Sequence, residues 1–410
     1  MTDELGAGEF GHNAPDGRAT QSWRHYSGEG KAQLDTTLVN LMPRRILLAC
    51  PQRIGDVLLA TPLARSLKRA WPEAKLDFLV FHGTAGVLAE NPDIDHVIAV
   101  PRRTGFAVRL AELRSLWRRY DVAAAPLATD RARLYCWAAG RRCVGMVHPG
   151  IKDRAKTLLL DRSVNFDDLD THTVSMGLRL TEPLGIAPCF DVVPPGVPAD
   201  GLDALLACLE PLAGNPYAVL HAYPKFTYKM WPPAAWIALA KWLDHRGLGV
   251  LFTGSDEPEE LAYVAAIVRQ LPAEPHTMNL AGTLSLGATA ELIRRAHLYI
   301  GPDTAVTHIA AATGTPTVAL FGPSNPVKWG PWPRGWAGND SPWLRRGSRR
   351  QGNVFLVQGS GDCVPCMLEG CERNIRSRSE CLDQLSVGTV IEAALSMLAE
   401  APADARKTSL

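Results

Sequence analysis

Short apolar runs alternate with amphipathic stretches from Arg45 onward. Arg45–Cys50 (RILLAC), Leu76–Phe81 (LDFLVF), Val97–Val100 and Val122–Leu127 carry almost no polar position, which predicts strands buried on both faces. Between them, Val57–Ala70 and Val108–Tyr120 repeat apolar residues at helical spacing. The pattern lapses between Asn165 and Pro216, where Pro183, Pro188, Pro194, Pro195 and Pro198 gather. It resumes with strand-like runs at Tyr217–His221, Val250–Thr253, Leu298–Gly301 and Thr317–Phe321. Helices are expected at Ala234–Arg246, Glu259–Gln270 and Ala288–Ala296, with a last one near Val387–Ala399. Strands and helices in alternation predict parallel sheets covered on both faces, so the chain reads as two doubly wound α/β halves. The expected divisions are 1–43 as a flexible extension, 44–200 and 201–385 as the two domains, and 386–410 as a closing helix and tail.

Composition narrows this picture. The 410 residues are 46% apolar and 21% charged, ordinary for a globular chain. Lys and Arg number 43 against 42 Asp and Glu, so no single overwhelming field dominates the molecule. There is no apolar stretch of membrane-spanning length, and the Gly-rich start lacks the apolar segment of a secretory signal. Nine cysteines, an odd number scattered in a long chain, argue against a disulfide-built secreted scaffold and for the cytoplasm. The balance hides one asymmetry: Arg102 to Lys156 holds 13 Lys and Arg against four Asp and Glu. A solvated helix face is the plain explanation, and contact with an anionic membrane surface or an acidic acceptor is the sharper one. No nucleic-acid-reading motif accompanies the patch, so nucleic acid is not expected as a partner.

Candidate chemistry sits where strands end. No GxGxxG follows a strand, which argues against a nicotinamide dinucleotide. After the first strand, Gly55-Asp56 falls at a helix start, where Asp56 is either an N-cap or a general base facing the cleft. Leu298–Phe321 (LYIGPDTAVTHIAAATGTPTVALF) reads strand, loop, helix, turn, strand. Its helix opens at Asp303-Thr304, and a helix start is a natural anion site. His308, one turn on, can donate to a phosphate or sugar oxygen or be a satisfied core histidine. Lys229, in the loop after Tyr217–His221, can neutralise a diphosphate or be an ordinary loop lysine. Asp256, Glu257 and Glu259 follow the next strand, where a carboxylate can accept from ribose hydroxyls or simply favour a first helical turn.

Together these segments resemble the heptosyltransferase family of glycosyltransferases, glycosyltransferase family 9. The resemblance rests on IGDVLLATPLARSLKRAWPEAKLDFLV with the later NPDID, then HAYPKFTYKMWP, NLAGTLSL, GPDTAVTHIAAATGTPTVALFGPSNPVKWGPW and CVPCMLEGC…CL, and it spans about Arg45 to Ala399. It implies two facing Rossmann-like domains, the GT-B glycosyltransferase architecture, with acceptor on the first and ADP-heptose on the second. It also implies inversion at the anomeric carbon with no cofactor required for catalysis. Asp56 matches the family's catalytic base, and Lys229 its phosphate-contacting lysine. Asp303 matches the sugar-contacting aspartate, Thr304 and Ala305 the diphosphate-binding backbone, and His308 the histidine beside them. Leu284 falls near the adenine-contacting position.

Three departures stand out. Ala305 replaces the family's usual Gly, Tyr223-Pro224 replaces a hydroxyl pair, and the ribose carboxylate aligns near Pro258, leaving Glu257 or Glu259 to substitute. The implied reaction is transfer of a heptose from ADP-heptose to a lipopolysaccharide inner-core acceptor, an acidic glycolipid at the cytoplasmic face of the inner membrane. Two alternatives remain open: the same chemistry on a protein hydroxyl or another surface glycan, and a non-catalytic nucleotide-sugar or metal-binding protein. Cys363, Cys366, Cys371 and Cys381 lie at a spacing that could hold structural zinc or iron, or they form a reduced thiol cluster.

Overall fold

The computed structural model describes residues 41–150, 153, 155–212, 214–272 and 276–399. The expected N-terminal extension up to residue 40 and the tail from 400 lie outside them. The first half forms a six-stranded, all-parallel sheet in the order β3-β2-β1-β4-β5-β6. Its strands are β1 (Arg45–Ala49), β2 (Lys75–Phe81), β3 (His96–Val100), β4 (Tyr120–Ala125), β5 (Gly140–Val147) and β6 (Arg162–Asn165). The second half forms a seven-stranded sheet in the order β12-β13-β11-β10-β7-β8-β9. Here the strands are β7 (Tyr217–His221), β8 (Gly249–Thr253), β9 (Thr277–Asn279), β10 (Leu298–Pro302), β11 (Thr317–Phe321), β12 (Arg349–Gln351) and β13 (Val354–Gln358). Among the described residues, only β12 runs antiparallel to its neighbour. This is a mixed α/β fold of two Rossmann-like sheets.

Both sheets change winding direction beside their first strand, between β1 and β4 and between β7 and β10. A crevice opens at the carboxyl ends of strands at such a point. The turns after β1, β7 and β10 therefore meet the cleft, and these are the turns that carry Asp56, Lys229 and Asp303.

The expected first helix is split into α1 (Ile54–Leu59) and α2 (Thr61–Ala70). Pro62 has no N–H to continue the ladder, and Thr61 Oγ1 donates to Leu58 O at 2.7 Å instead. The connections after β3 and β4 are α3 (Phe106–Leu116) and α4 (Asp130–Ala139). One buried cluster, built on Ile46, Leu48, Val57 and Leu63, continues into Ile309, Ala312 and Trp332 of the second half. The halves thus share core, which holds the cleft walls in register.

The chain between the halves makes one contact that only glycine allows. A Cβ on Gly287, in the helix Leu286–Arg295, would sit 1.9 Å from Gly196 O. Alanine there gains about 1 kcal/mol of helix propensity. The clash, at about 1–3 kcal/mol for overpacking, outweighs it. Gly287→Ala is expected to lower the midpoint of a urea melt, and an unchanged or higher midpoint would show the linker free to shift.

Candidate active site

Asp56 is the third residue of α1, whose N-cap is Arg53, so the N-cap alternative is corrected. Its carboxylate instead reaches back to the Arg53 backbone N–H. Burial pushes its pKa above the usual carboxylate range, against the opposing pull of Arg53, Lys328 and Lys229. A raised pKa brings a carboxylate closer to the proton it must accept.

Opposite α1 stands the helix Ala305–Thr313, capped by Thr304, whose Oγ1 accepts from Thr307 N at 3.4 Å. The N–H groups of Ala305 and Val306 are the ones a first turn leaves over for an anion. Ala305 is half-buried and Val306 buried. Asp303, just before the cap, is buried and accepts from Lys229 Nζ at 2.6 Å. That pairing, with help from Ser324, holds the Asp303 pKa low despite burial. Lys229 therefore enters the site already paired, with two of its three donors left over.

His308 is buried with its pKa depressed to about 4, chiefly by desolvation, so the imidazole is neutral. Its Nδ1 has no hydrogen-bond partner among the described residues, an opening that a ligand oxygen can fill. The core-histidine alternative holds in part: His308 is buried, but it is not satisfied. A Cβ on Gly55 would lie 3.8 Å from His308 Cδ2. The helix α1, which bears Asp56, packs against the helix Ala305–Thr313 across the two halves.

Two functional candidates escaped the sequence reading. Lys328, in the short helix Pro326–Trp329, has its side chain only 12% exposed, within electrostatic reach of Asp56. It forms an ion pair with Asp168 of the first half and lies over the rings of Phe166 and Trp329. Burial lowers its pKa to about 8. The signal was present in NPVKWGPW, but the lysine's position depends on packing against a residue far away in the chain.

The second is Glu260. Glu257 is exposed at the N-cap of the helix Pro258–Val268, and Glu259 is exposed and accepts from Tyr223 OH at 3.3 Å. Glu260 alone of these acids is buried, accepting from Ser255 Oγ, with Oε1 without a partner among the described residues. Leu284 is half-buried just before Ser285, which caps the helix Leu286–Arg295.

A rim of cations faces the cleft from both halves. Lys225 lies within electrostatic reach of Arg53 and Arg102, and Arg131 Nη1 donates to Arg102 O at 2.7 Å. Arg53 also stacks over the Phe226 ring, 5.2 Å from its centroid.

The thiols of Cys363, Cys366 and Cys371 lie within electrostatic reach of Cys381. Among the described residues no group of three or more His, Cys, Asp or Glu is placed to hold a metal ion. Cys363 and Cys371 are exposed, Cys366 half-buried and Cys381 buried, all as free thiols. Burial, with the neighbouring thiols adding repulsion, pushes Cys381 up to about 11, so it keeps its proton at neutral pH.

Known proteins resemble this chain in sequence and in fold. Residues 99–339 match the family model described as glycosyltransferase family 9 (heptosyltransferase). Lipopolysaccharide heptosyltransferase 3 of Escherichia coli K12 is 29% identical over 301 residues, 70% of this chain and 86% of that protein. Lipopolysaccharide heptosyltransferase 1 of Pseudomonas aeruginosa is 28% identical over 342 residues, 80% of this chain and 87% of that protein. Among solved structures, a family 9 glycosyl transferase from Veillonella parvula matches with TM-score 0.70 at 21% identity, covering 87% of this chain and 98% of that one. ADP-heptose heptosyltransferase II of Escherichia coli matches with TM-score 0.66 at 20% identity, over 87% of this chain and 99% of that one. Escherichia coli heptosyltransferase WaaC with ADP matches with TM-score 0.64 at 19% identity, over 86% of this chain and 99% of that one. At these identities the structures establish the shared two-sheet GT-B fold.

Proposed function

This chain belongs to glycosyltransferase family 9, the heptosyltransferases, and from that premise we propose that it transfers a heptose from ADP-heptose, with inversion, to an acidic inner-core lipopolysaccharide acceptor at the cytoplasmic face of the inner membrane. The acceptor hydroxyl attacks the anomeric carbon and gives its proton to Asp56. The bond from that carbon to the diphosphate oxygen breaks, and ADP leaves with the electron pair. The N–H groups at Ala305 and Val306, with Lys229 and Lys328, receive the charge that develops on the departing diphosphate. Asp303 holds Lys229 in place and borders the sugar, and His308 Nδ1 is open to a ligand oxygen. Glu260, or Glu257 from the rim, accepts from the ribose hydroxyls, and Leu284 borders the adenine. No cofactor enters this scheme.

One observation supports the reading: α1 packs against the helix Ala305–Thr313, which brings a carboxylate of raised pKa from one sheet near a helix start from the other. Binding alone needs no such base. The cationic rim of Arg53, Arg102, Arg131 and Lys225 supports an acidic acceptor. Lys225 and Arg102 come from opposite halves, so one acidic group can bridge them.

A pH profile tests the site. Asp56 must be ionised, so kcat/KM falls as pH drops through its raised pKa. Lys328 must be charged, so kcat/KM falls again as pH rises through about 8. Lys328→Arg stays charged there and is expected to lose the alkaline limb while keeping the acid one. An alkaline limb unchanged in that variant would remove Lys328 from the reaction.

A further inference from the structure

The helix α3 is not amphipathic: apolar side chains lie on its solvent side as well as on its buried side. Leu116 is buried and Leu113 packs on the core. Yet its solvent side carries Phe106, Ala107, Val108 and Ala111, all exposed. Phe106 is 82% exposed and Val108 51%, and Trp117, just past the helix end, is 51% exposed. A surface helix normally turns charged or polar residues outward and keeps its apolar stripe for the core.

The same surface is basic. Arg102, Arg103, Arg114, Arg118 and Arg119 are exposed, and among the described residues none is paired with a carboxylate. Glu112, the one acid on the helix, is turned inward to accept from Tyr135 OH at 2.5 Å.

We propose that α3 and its flanks dock on an anionic lipid bilayer, with Phe106, Val108 and Trp117 entering the headgroup region and the arginines meeting lipid phosphates. Exposed aromatic and apolar residues flanked by cations suit a membrane interface, where aromatic rings sit at headgroup level and cations meet lipid phosphates. Charge complementarity selects this occupant over a second copy of the chain. A two-fold contact through this face would press the same five arginines against each other. A bilayer rich in acidic headgroups does the opposite, with each basic residue contributing roughly five-fold in partitioning near the surface.

The location adds a reason. The loop between β3 and α3 carries Arg102, which also reaches the cleft rim beside Lys225 of the other half. A docked α3 therefore holds the mouth of the cleft at the membrane, where a lipid-linked acceptor presents its head. In that respect alone the inference rests on the proposed function.

The test is flotation of the full chain with vesicles of phosphatidylglycerol and phosphatidylcholine, compared with phosphatidylcholine alone. The unmodified chain is expected to float with the acidic vesicles and to be released by high salt. Arg103→Glu with Arg114→Glu is expected to reduce binding at least ten-fold, and Phe106→Ser about ten-fold. These exposed positions should leave the thermal midpoint unchanged, and transfer to a delipidated, water-soluble acceptor should also stay at the parent rate. No flotation at low salt, or equal flotation of all variants, would overturn the proposal. So would light scattering that shows a dimer which Phe106→Ser dissociates. Vesicle binding without any glycosyl transfer would leave the docking surface standing and remove the reaction assigned above.

Discussion

Asp56→Asn is expected to lower kcat by about 10²–10⁴ while leaving ADP affinity nearly unchanged. The amide keeps the size of the side chain and can still accept from the Arg53 backbone N–H, the contact that ties Asp56 to the start of α1. What it loses is the ability to take a proton. A purely structural role would show the opposite pattern, with near-normal turnover and at most about 1 kcal/mol of stability lost with the capping contact. Pre-steady-state kinetics on saturated enzyme, with a chemical melt run in parallel, separates the two. The neighbourhood makes the distinction sharp, because burial raises the Asp56 pKa while two lysines pull against it. Asparagine removes that balance along with the proton acceptor, so the acid limb of the pH profile should vanish with the turnover.

Lys229→Ala is the second large effect, and it acts in two places. The lost charge should weaken ADP binding by roughly 1–3 kcal/mol, about 5- to 150-fold, the range for a charge-assisted hydrogen bond. It also strands Asp303, which is buried and bonded to Lys229 at 2.6 Å. Breaking a buried pair costs about 3–5 kcal/mol when both partners are dry. The Lys229 side chain is 20% exposed, so the loss of stability should fall below that range. Asp303→Asn in the same background should restore stability without restoring ADP affinity. Titration calorimetry paired with urea melts reads both quantities. ADP binding as tight as the parent's would place the diphosphate elsewhere.

Much of this was legible in the chain, for reasons that particular residues make plain. RILLA, YAVLH and TVALF are apolar at every or nearly every position, as strands covered on both faces must be, and they are β1, β7 and β11. β5 (GRRCVGMV) was missed because Arg141 and Arg142 break its apolar run at the exposed end. β6 (RSVN) is short and polar, and it is recognisable only from its pairing with β5. β13 was hidden behind a charged loop, although VFLVQ carries the apolar pattern and pairs along the whole of β11.

The candidate site divides along the same line. Asp56, Lys229, Asp303, Thr304 and His308 follow strand ends, which marked them as candidates, and the family resemblance supplied their roles. Lys328 depends on a partner at Asp168, in the other half, and no local pattern encodes that meeting. Glu260 was passed over for Glu257 and Glu259 because all three sit in one acidic run. Only the register of the helix Pro258–Val268 decides which one turns inward. The close spacing of the cysteines does bring three thiols within electrostatic reach of Cys381, although among the described residues no group of three or more is placed to hold a metal ion.

The central claim is the pairing of an adenine-nucleotide heptose donor with a lipid-linked core acceptor on this cleft. Its most direct test offers the purified protein a core-lipid acceptor with ADP-heptose, and in parallel with UDP- and GDP-linked hexoses, and reads the products by mass spectrometry. The account predicts an acceptor heavier by one heptosyl unit with ADP-heptose alone, and none with Asp56→Asn on the same timescale. Equal transfer by the asparagine variant, or transfer only from a uridine or guanosine donor, would contradict it.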